Sequence, residues 1–218
     1  IVLAKAGCTT DSPADNLIEQ MKVTRETKSR LILGHVRRAS PEFDKTIPYA
    51  DCTQPYKPAC IRPKGFVTLS AHNGFLKNYK QLRDQLAQRH HLESEKRMLI
   101  DSEVIAHLHE ELLAQFEDPT KTGSRLYEQI EGNNAIVTII INKQETHLHG
   151  IHRGRTRGLT IWTNLKGEAL LCSREDPVQH VLYKFLLENN YKIIVAVRRT
   201  DTAHIRAHFS LDSKPNEV

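Results

Sequence analysis

From Asn134 onward the chain is a succession of short β-type runs: Ala135 to Ile141, Thr146 to His152, Leu159 to Thr163, Ala169 to Cys172, Ile193 to Val197 and Ile205 to Phe209. Gly or Asn stands in the hinges between the first four, which is where a chain reverses rather than continues. One helix candidate, Val178 to Leu187, interrupts the series. Strands joined this closely pair antiparallel, and a sheet that is apolar on one face must bury it against a second layer. The second half of the chain therefore predicts two mostly antiparallel sheets packed face to face, with helices outside.

The first half supplies the helices. Leu76 to about Gln88 carries Tyr79, Leu82 and Leu86 at helical spacing. Asp101-Ser102 is placed to cap a second helix, with Val104, Ile105, Leu108, Leu112, Leu113 and Phe116 as its apolar stripe. An earlier helix is expected to open at Asp11-Ser12-Pro13 and run to about Met21, burying Leu17, Ile18 and Met21. Ile1 to Leu3 reads as the tail of a strand, and Arg30 to Val36 and Phe66 to Ser70 read as strands. The last of these ends at His72-Asn73-Gly74, where Asn-Gly marks a sharp turn. Between them, Pro41, Pro48, Pro55, Pro58 and Pro63 break any regular element, leaving a long irregular loop over residues 41–65. Loops of that length inside a compact domain are often functional.

Composition sets the outer limits. With 218 residues, 39% hydrophobic and 26% charged, the chain reads as one folded domain over 1–218. No apolar run approaches the ~18 residues that cross a bilayer, and no leader peptide is recognisable, so a cytoplasmic location is expected and a membrane partner is not. The cysteines Cys8, Cys52, Cys60 and Cys172 include no C-x-x-C pair, and all four read as free thiols. The net charge of +5 permits nucleic-acid contact without demanding it. The cluster Arg153, Arg155 and Arg157 lacks interleaved aromatic residues, so it reads as a solvated hairpin turn rather than an RNA-binding loop. His147, His149 and His152 form His-x-His-x-x-His, whose first two members share a strand face and suit zinc; a polar strand edge is the preferred reading. No cofactor and no metal are expected.

Three polar runs sit at the ends of regular elements: Gly34-His35-Val36-Arg37-Arg38-Ala39-Ser40, His72-Asn73-Gly74 and Asp101-Ser102-Glu103. Singly they are a surface charge, a turn and a helix cap. Together, in order and spacing, they resemble the glutamine-handling domain of class II glutamine amidotransferases. His35-Val36-Arg37-Arg38-Ala39-Ser40 is similar to that family's His-Thr-Arg-Trp-Ala-Thr. His72-Asn73-Gly74 with Asn78-Tyr79-Lys80-Gln81-Leu82-Arg83 is similar to its His-Asn-Gly and Asn-Tyr-x-x-Leu-Arg block. Ile100-Asp101-Ser102-Glu103-Val104 is similar to its Thr-Asp-Thr-Glu-Val helix start. The clear resemblance covers about residues 30–110. It implies a four-layer α-β-β-α sandwich of the N-terminal-nucleophile hydrolase type, a glutaminase activity releasing ammonia, and a site shared with glucosamine-forming aminotransferases.

The chemistry of glutamine agrees. A cation must hold the α-carboxylate, and Arg37 offers a bidentate fork. Asp101 suits the α-ammonium. Asn73 and the backbone N–H of Gly74 suit the oxyanion formed when the amide carbonyl is attacked. Ser40 keeps the hydroxyl of the family's Thr, while Arg38 replaces its Trp and changes the pocket wall. Gln54-Pro55 is the expected counterpart of an Ala-His-Pro segment within a longer loop. The family's nucleophile is an N-terminal Cys whose own amine acts as base. Here residue 1 is Ile, so that Cys is expected upstream of Ile1 in the native polypeptide; Cys8 reads as a loop thiol. Glutamine is the expected small-molecule substrate, with an ammonia-accepting partner protein or a homodimer beside it and no nucleic acid. The alternatives are a catalytically inactive glutamine-binding regulatory domain and a γ-glutamyl amide hydrolase.

Overall fold

A computed structural model describes residues 3–7, 12–21, 31–155, 157–197 and 203–212. The expected strand tail at Ile1, the thiol of Cys8 and the capping side chain of Asp11 lie outside the described residues. In chain order the regular elements are α1 (Pro13–Met21), β1 (Val67–Leu76), α2 (Tyr79–Leu86), α3 (Asp101–Phe116), α4 (Pro119–Gln129), β2 (Gly132–Ile141), β3 (Glu145–Gly154), β4 (Leu159–Thr163), β5 (Ala169–Cys172), α5 (Glu175–Glu188), β6 (Lys192–Val197) and β7 (Ala203–Asp212). The fold is α+β with two antiparallel sheets, ordered β1-β2-β3-β7 and β5-β4-β6.

Strand alternation decides which layer each residue meets. On one face of the larger sheet, Leu76, Ile136 and Ile151 pack under α2, α3 and α4 with Leu82, Ile105, Leu112 and Leu126. On the other face Leu69, Ile139 and Leu148 meet Ala169 and Leu171 of the smaller sheet. Gly150 lets the sheets approach there, since a Cβ would stand 3.1 Å from the Leu171 side chain. β5 and β6 are each antiparallel to β4, so they run parallel to one another and the chain must cross β4 between them. α5 lies in that connection and buries Leu186. Among the described residues no helix is long and apolar enough to cross a membrane.

Several local expectations change. α1 forms and Ser12 Oγ accepts from Asp15 N at 3.4 Å, yet it buries no residue; Ile18 and Met21 are exposed. The helical period was sound, but no neighbouring element covers the stripe. Residues 31–40 make no ladder among the described residues, although burial alternates as in a strand: Leu31, Leu33, His35 and Arg37 turn inward, Ile32, Gly34, Val36 and Arg38 outward. His72-Asn73-Gly74 is not a turn. β1 runs straight through it, with Asn73 opposite Ala135 and Gly74 opposite Asn134, because the partner strand supplies the ladder that Asn-Gly alone would forgo. The Pro-rich loop contains three 3-10 turns, Pro41–Thr46, Ala50–Cys52 and Pro63–Gly65. α4 was not anticipated, though Asp118-Pro119 is a legible start: Asp118 accepts from Thr120 N and Lys121 N at 2.9 and 3.1 Å.

His147, His149 and His152 are not on a strand edge, since β3 lies between β2 and β7. His147 and His149 face the helices; His147 stacks on His208 of β7, His149 meets that ring edge-on, and His149 also lies 5.3 Å from the His109 ring of α3. α4 can sit on this column because Gly123 has no Cβ; one would stand 2.7 Å from His149 Nδ1. His152 faces the opposite way, its Nε2 3.1 Å from Arg157 O. Burial holds the His109 ring down at about 3. Burial, then the neighbouring rings of His109, His208 and His147, hold His149 down at about 2. In an unfolded chain both titrate near ~6.5. As pH falls below that value the unfolded chain binds protons first, so stability present at neutral pH is lost progressively from ~6.5 downward. Urea midpoints should therefore fall steeply between pH 6.5 and 4, and His109→Gln should flatten that slope. An unchanged slope in the variant would assign the acid sensitivity elsewhere.

Candidate functional site

β1 is the outermost strand of the larger sheet, and its free edge must find partners or water. The Pro-rich loop provides them. Tyr56 N donates to Ser70 O and Ser70 N to Tyr56 O, both at 2.9 Å. Two residues on, the Gln54 side chain imitates a peptide unit: its Oε1 accepts from His72 N at 2.5 Å and its Nε2 donates to His72 O at 3.0 Å. The same Nε2 also reaches Ser102 Oγ at 3.1 Å, tying the loop to the first turn of α3.

His72 points toward α3 and is buried. Its Nδ1 lies 3.0 Å from Ser102 Oγ and its Nε2 2.9 Å from Asn134 Oδ1. Burial lowers its affinity for a proton; Asp101 and the Asn134 bond oppose that, and Arg157 adds to it. A neutral ring that donates from Nε2 to Asn134 and accepts at Nδ1 from Ser102 satisfies both ring nitrogens, with the Ser102 proton taken from its longer contact with Asp101 at 3.3 Å. His35 is likewise held down at about 4, by burial first, then by His72 and Arg37, against a hydrogen bond to the His72 backbone. The imidazoles here are thus uncharged spacers at neutral pH.

Asp101 begins α3, with Ile100 as the N-cap, so its carboxylate is not a side-chain cap of the kind expected. Instead Oδ2 accepts from Leu76 N at 3.0 Å, where β1 ends, and Oδ1 accepts from Ser102 N at 2.8 Å. A carboxylate has about four acceptor positions, so it retains capacity for a ligand cation. Asp101 is buried, at the helix N-terminus, where the dipole favours a negative charge. Arg37 donates from Nη2 to Thr46 Oγ1 at 2.8 Å, and Thr46 in turn donates to Phe43 O at 2.6 Å, so a 3-10 turn of the loop fixes the guanidinium. Gly74 stands where β1 and β2 are tightest: a Cβ would run into the Asn133 carbonyl and come within 2.9 Å of Asn134 Cα.

A cavity of about 650 Å³ opens between the two sheets and the extended segment 31–40. Arg37, Arg38, Ser40, Asn73, Gly74 and Asp101 all line it, although they come from three separated stretches of sequence. Arg38 stands at its exposed rim. Two further lining residues were not anticipated. Arg157, read from sequence as part of a solvated turn, lies on the β3–β4 connection and is carried back over the cavity. Cys172, at the end of β5, lines it with Sγ donating to Arg174 O at 2.9 Å. No local pattern announces either; their position follows from how the smaller sheet is laid on the larger.

No family model matches the sequence. Individual relatives do, and they are glutamine-dependent aminotransferases. The chain is 31% identical over 130 residues to the glutamine–fructose-6-phosphate aminotransferase (isomerizing) of Sulfurisphaera tokodaii, which is 58% of this chain and 19% of that protein. It is 39% identical over 72 residues to the corresponding enzyme of Zymomonas mobilis, 33% of this chain and 11% of the relative. The match thus spans a fifth or less of the curated relatives' length. Among solved structures, the glutamine phosphoribosylpyrophosphate amidotransferase of B. subtilis superimposes over 84% of this chain and 34% of its own, with 19% identity and a TM-score of 0.48. The sequence relatives fit a class II glutamine amidotransferase, the class to which the three motifs point.

The strap on β1 gives a direct expectation. Gln54→Ala leaves a buried N–H and C=O of His72 without partners, and each such loss costs about 1–3 kcal/mol. Guanidinium denaturation should report a destabilisation of about 2–6 kcal/mol, one such loss for each of the two groups. A change below about 0.5 kcal/mol, the scale of an ordinary surface substitution, would mean that water takes the place of the amide.

Proposed function

We infer that the cavity binds glutamine and is the glutaminase site of an amidotransferase, releasing glutamate and ammonia. The observation that carries this reading is the convergence of all six motif residues on one cavity between the sheets. Arg37 holds the α-carboxylate, Asp101 the α-ammonium, and Ser40 orients the ligand beside Arg37. Arg38 forms the rim. Asn73 and the Gly74 N–H receive the oxyanion as the side-chain amide is attacked. The whole chain acts as one glutamine amidotransferase domain in this reading, working in the cytoplasm and delivering ammonia to a partner or to a second copy of itself.

The attacking group in this reading is an N-terminal Cys outside these 218 residues. The described thiols support that choice. Burial, then Asp51, pushes Cys52 up to about 11, which leaves little thiolate at neutral pH. Cys60 is not among the residues lining the cavity, and Cys172 commits its proton to a backbone carbonyl.

Binding and chemistry are separable. Arg37→Ala and Asp101→Asn each strand one charged end of bound glutamine, a loss of about 2–5 kcal/mol. Isothermal titration with glutamine should show both variants weakened by that amount, and wild-type affinity in either would remove that residue from the pocket. In the native enzyme, Asn73→Ala should lower kcat by about 10²–10³ with KM little changed, because an oxyanion donor acts mainly in the transition state. A raised KM with kcat preserved would make Asn73 a binding residue. Labelling with a glutamine-like alkylating agent should modify the N-terminal Cys; an adduct on Cys172 would overturn the assignment of the nucleophile.

A further inference from the structure

Away from the cavity, four side chains from three segments bring donor atoms together. Cys60 comes from the end of the Pro-rich loop, His90 from the connection after α2, and His107 and Glu110 from successive turns of α3. One potential ligand atom from each lies within 4.8 Å of all the others. His90 Nδ1 and His107 Nδ1 are 3.1 Å apart, Cys60 Sγ is 3.7 Å from His107 Nδ1, and Glu110 Oε2 is 3.4 Å from His90 Nδ1. Zinc bonds of ~2.0–2.3 Å arranged tetrahedrally place neighbouring ligand atoms ~3.3–3.6 Å apart. Three of the six separations, 3.1, 3.4 and 3.7 Å, are already close to those values, and the other three are within 4.8 Å.

The outer contacts point the same way. His90 Nε2 lies 2.9 Å from Glu111 Oε2, and His107 Nε2 faces Glu103 Oε1 at 3.7 Å. His90, by giving its Nε2 proton to Glu111, turns an Nδ1 lone pair toward His107 Nδ1, and a carboxylate-backed imidazole of this kind is the usual support of a metal ligand. Glu110 is held in place by N–H donors from Cys60, Ile61 and Arg62 at 3.0–3.2 Å. The backbone of His91 fixes the sulfur: His91 N donates to Cys60 Sγ at 3.4 Å and Sγ donates to His91 O at 3.8 Å. His90, His107 and Glu110 are buried and Cys60 is at the surface, which leaves an entry path. Two ring nitrogens, a sulfur and a carboxylate oxygen brought this close form an arrangement that a cation among them would satisfy.

We propose that Cys60, His90, His107 and Glu110 form a zinc site. Four protein ligands fill a tetrahedron, so the site is structural rather than catalytic. It clamps the Pro-rich loop, which carries Gln54, to α3, which carries Asp101. Six residues of helix, ~9 Å at 1.5 Å per residue, separate His107 from Asp101, so the clamp steadies the glutamine cavity without entering it. Zinc binding releases the Cys60 thiol proton to solvent.

The test uses the untagged full chain, stripped with a chelator and then given Zn²⁺ or Co²⁺ alone. One zinc per chain should survive gel filtration by elemental analysis. The Co²⁺ form should show intense tetrahedral ligand-field bands and a thiolate charge-transfer band. Zinc should raise Tm and block alkylation of Cys60. Cys60→Ser, a surface change that leaves the core intact, should abolish the charge-transfer band, and His90→Gln should reduce zinc retention at least tenfold, with far-ultraviolet circular dichroism confirming that both are folded. His149→Gln, in the separate histidine column, should retain zinc. A cobalt spectrum without the thiolate band, zinc content in Cys60→Ser and His90→Gln equal to that of the wild type, or unchanged alkylation with zinc present would overturn the proposal and leave a proton shared between His90 and His107.

Discussion

The open edge of β1 is the constraint around which the site is built. An edge strand presents N–H and C=O groups that are costly when buried without partners. Here the uncovered groups at Ser70 and His72 lie just before Asn73 and Gly74, so whatever covers them also fixes the shape of the cavity wall. A proline-rich segment covers them with one backbone pair from Tyr56 and one side-chain amide from Gln54. Prolines cannot serve as ladder donors, so a side-chain amide supplies the donor and acceptor instead. The long loop is thereby part of the sheet.

From this edge the hydrogen bonds continue into α3. Gln54 meets Ser102, Ser102 meets His72, and Asp101 accepts from Leu76 at the far end of the same strand. Strand end, helix start and loop share one set of buried polar contacts, each satisfied by the next. Such networks are rigid when complete and expensive when broken. That rigidity suits the proposed glutamine pocket, in which both charged ends of a zwitterion are held while donors wait for an oxyanion.

α3 is unusual in being buried on nearly every side, from Asp101 through Glu110. It carries cavity residues at its first turn, the zinc-like cluster on its second and third, and the ring of His109 against the histidine column. Burial disfavours the charged form of His72, His109 and His149 in this polar interior. These three rings therefore carry no unpaired charge at neutral pH, at a cost in stability once the pH falls below that at which the unfolded chain protonates them.

The sequence by itself determined the elements and the motif set. Period-two runs placed β4 and β5 where the structure has them, and helical spacing identified Tyr79, Leu82 and Leu86 as the buried face of α2. Both signals survive because they depend on neighbours a few residues away. The order of the Arg37, Asn73 and Asp101 runs pointed to one chemistry before any geometry was available. What only the tertiary structure decided depends on partners far along the chain. Asn73-Gly74 reads as a turn until β2 pairs with it. Residues 31–40 alternate like a strand but have no ladder among the described residues. Arg157 and Cys172 reach the cavity because the smaller sheet is laid over it, and Cys60, His90, His107 and Glu110 have no common spacing until α3 and two loops fold together. Periodicity reports which face a residue shows; it carries no information about which distant segment that face will meet.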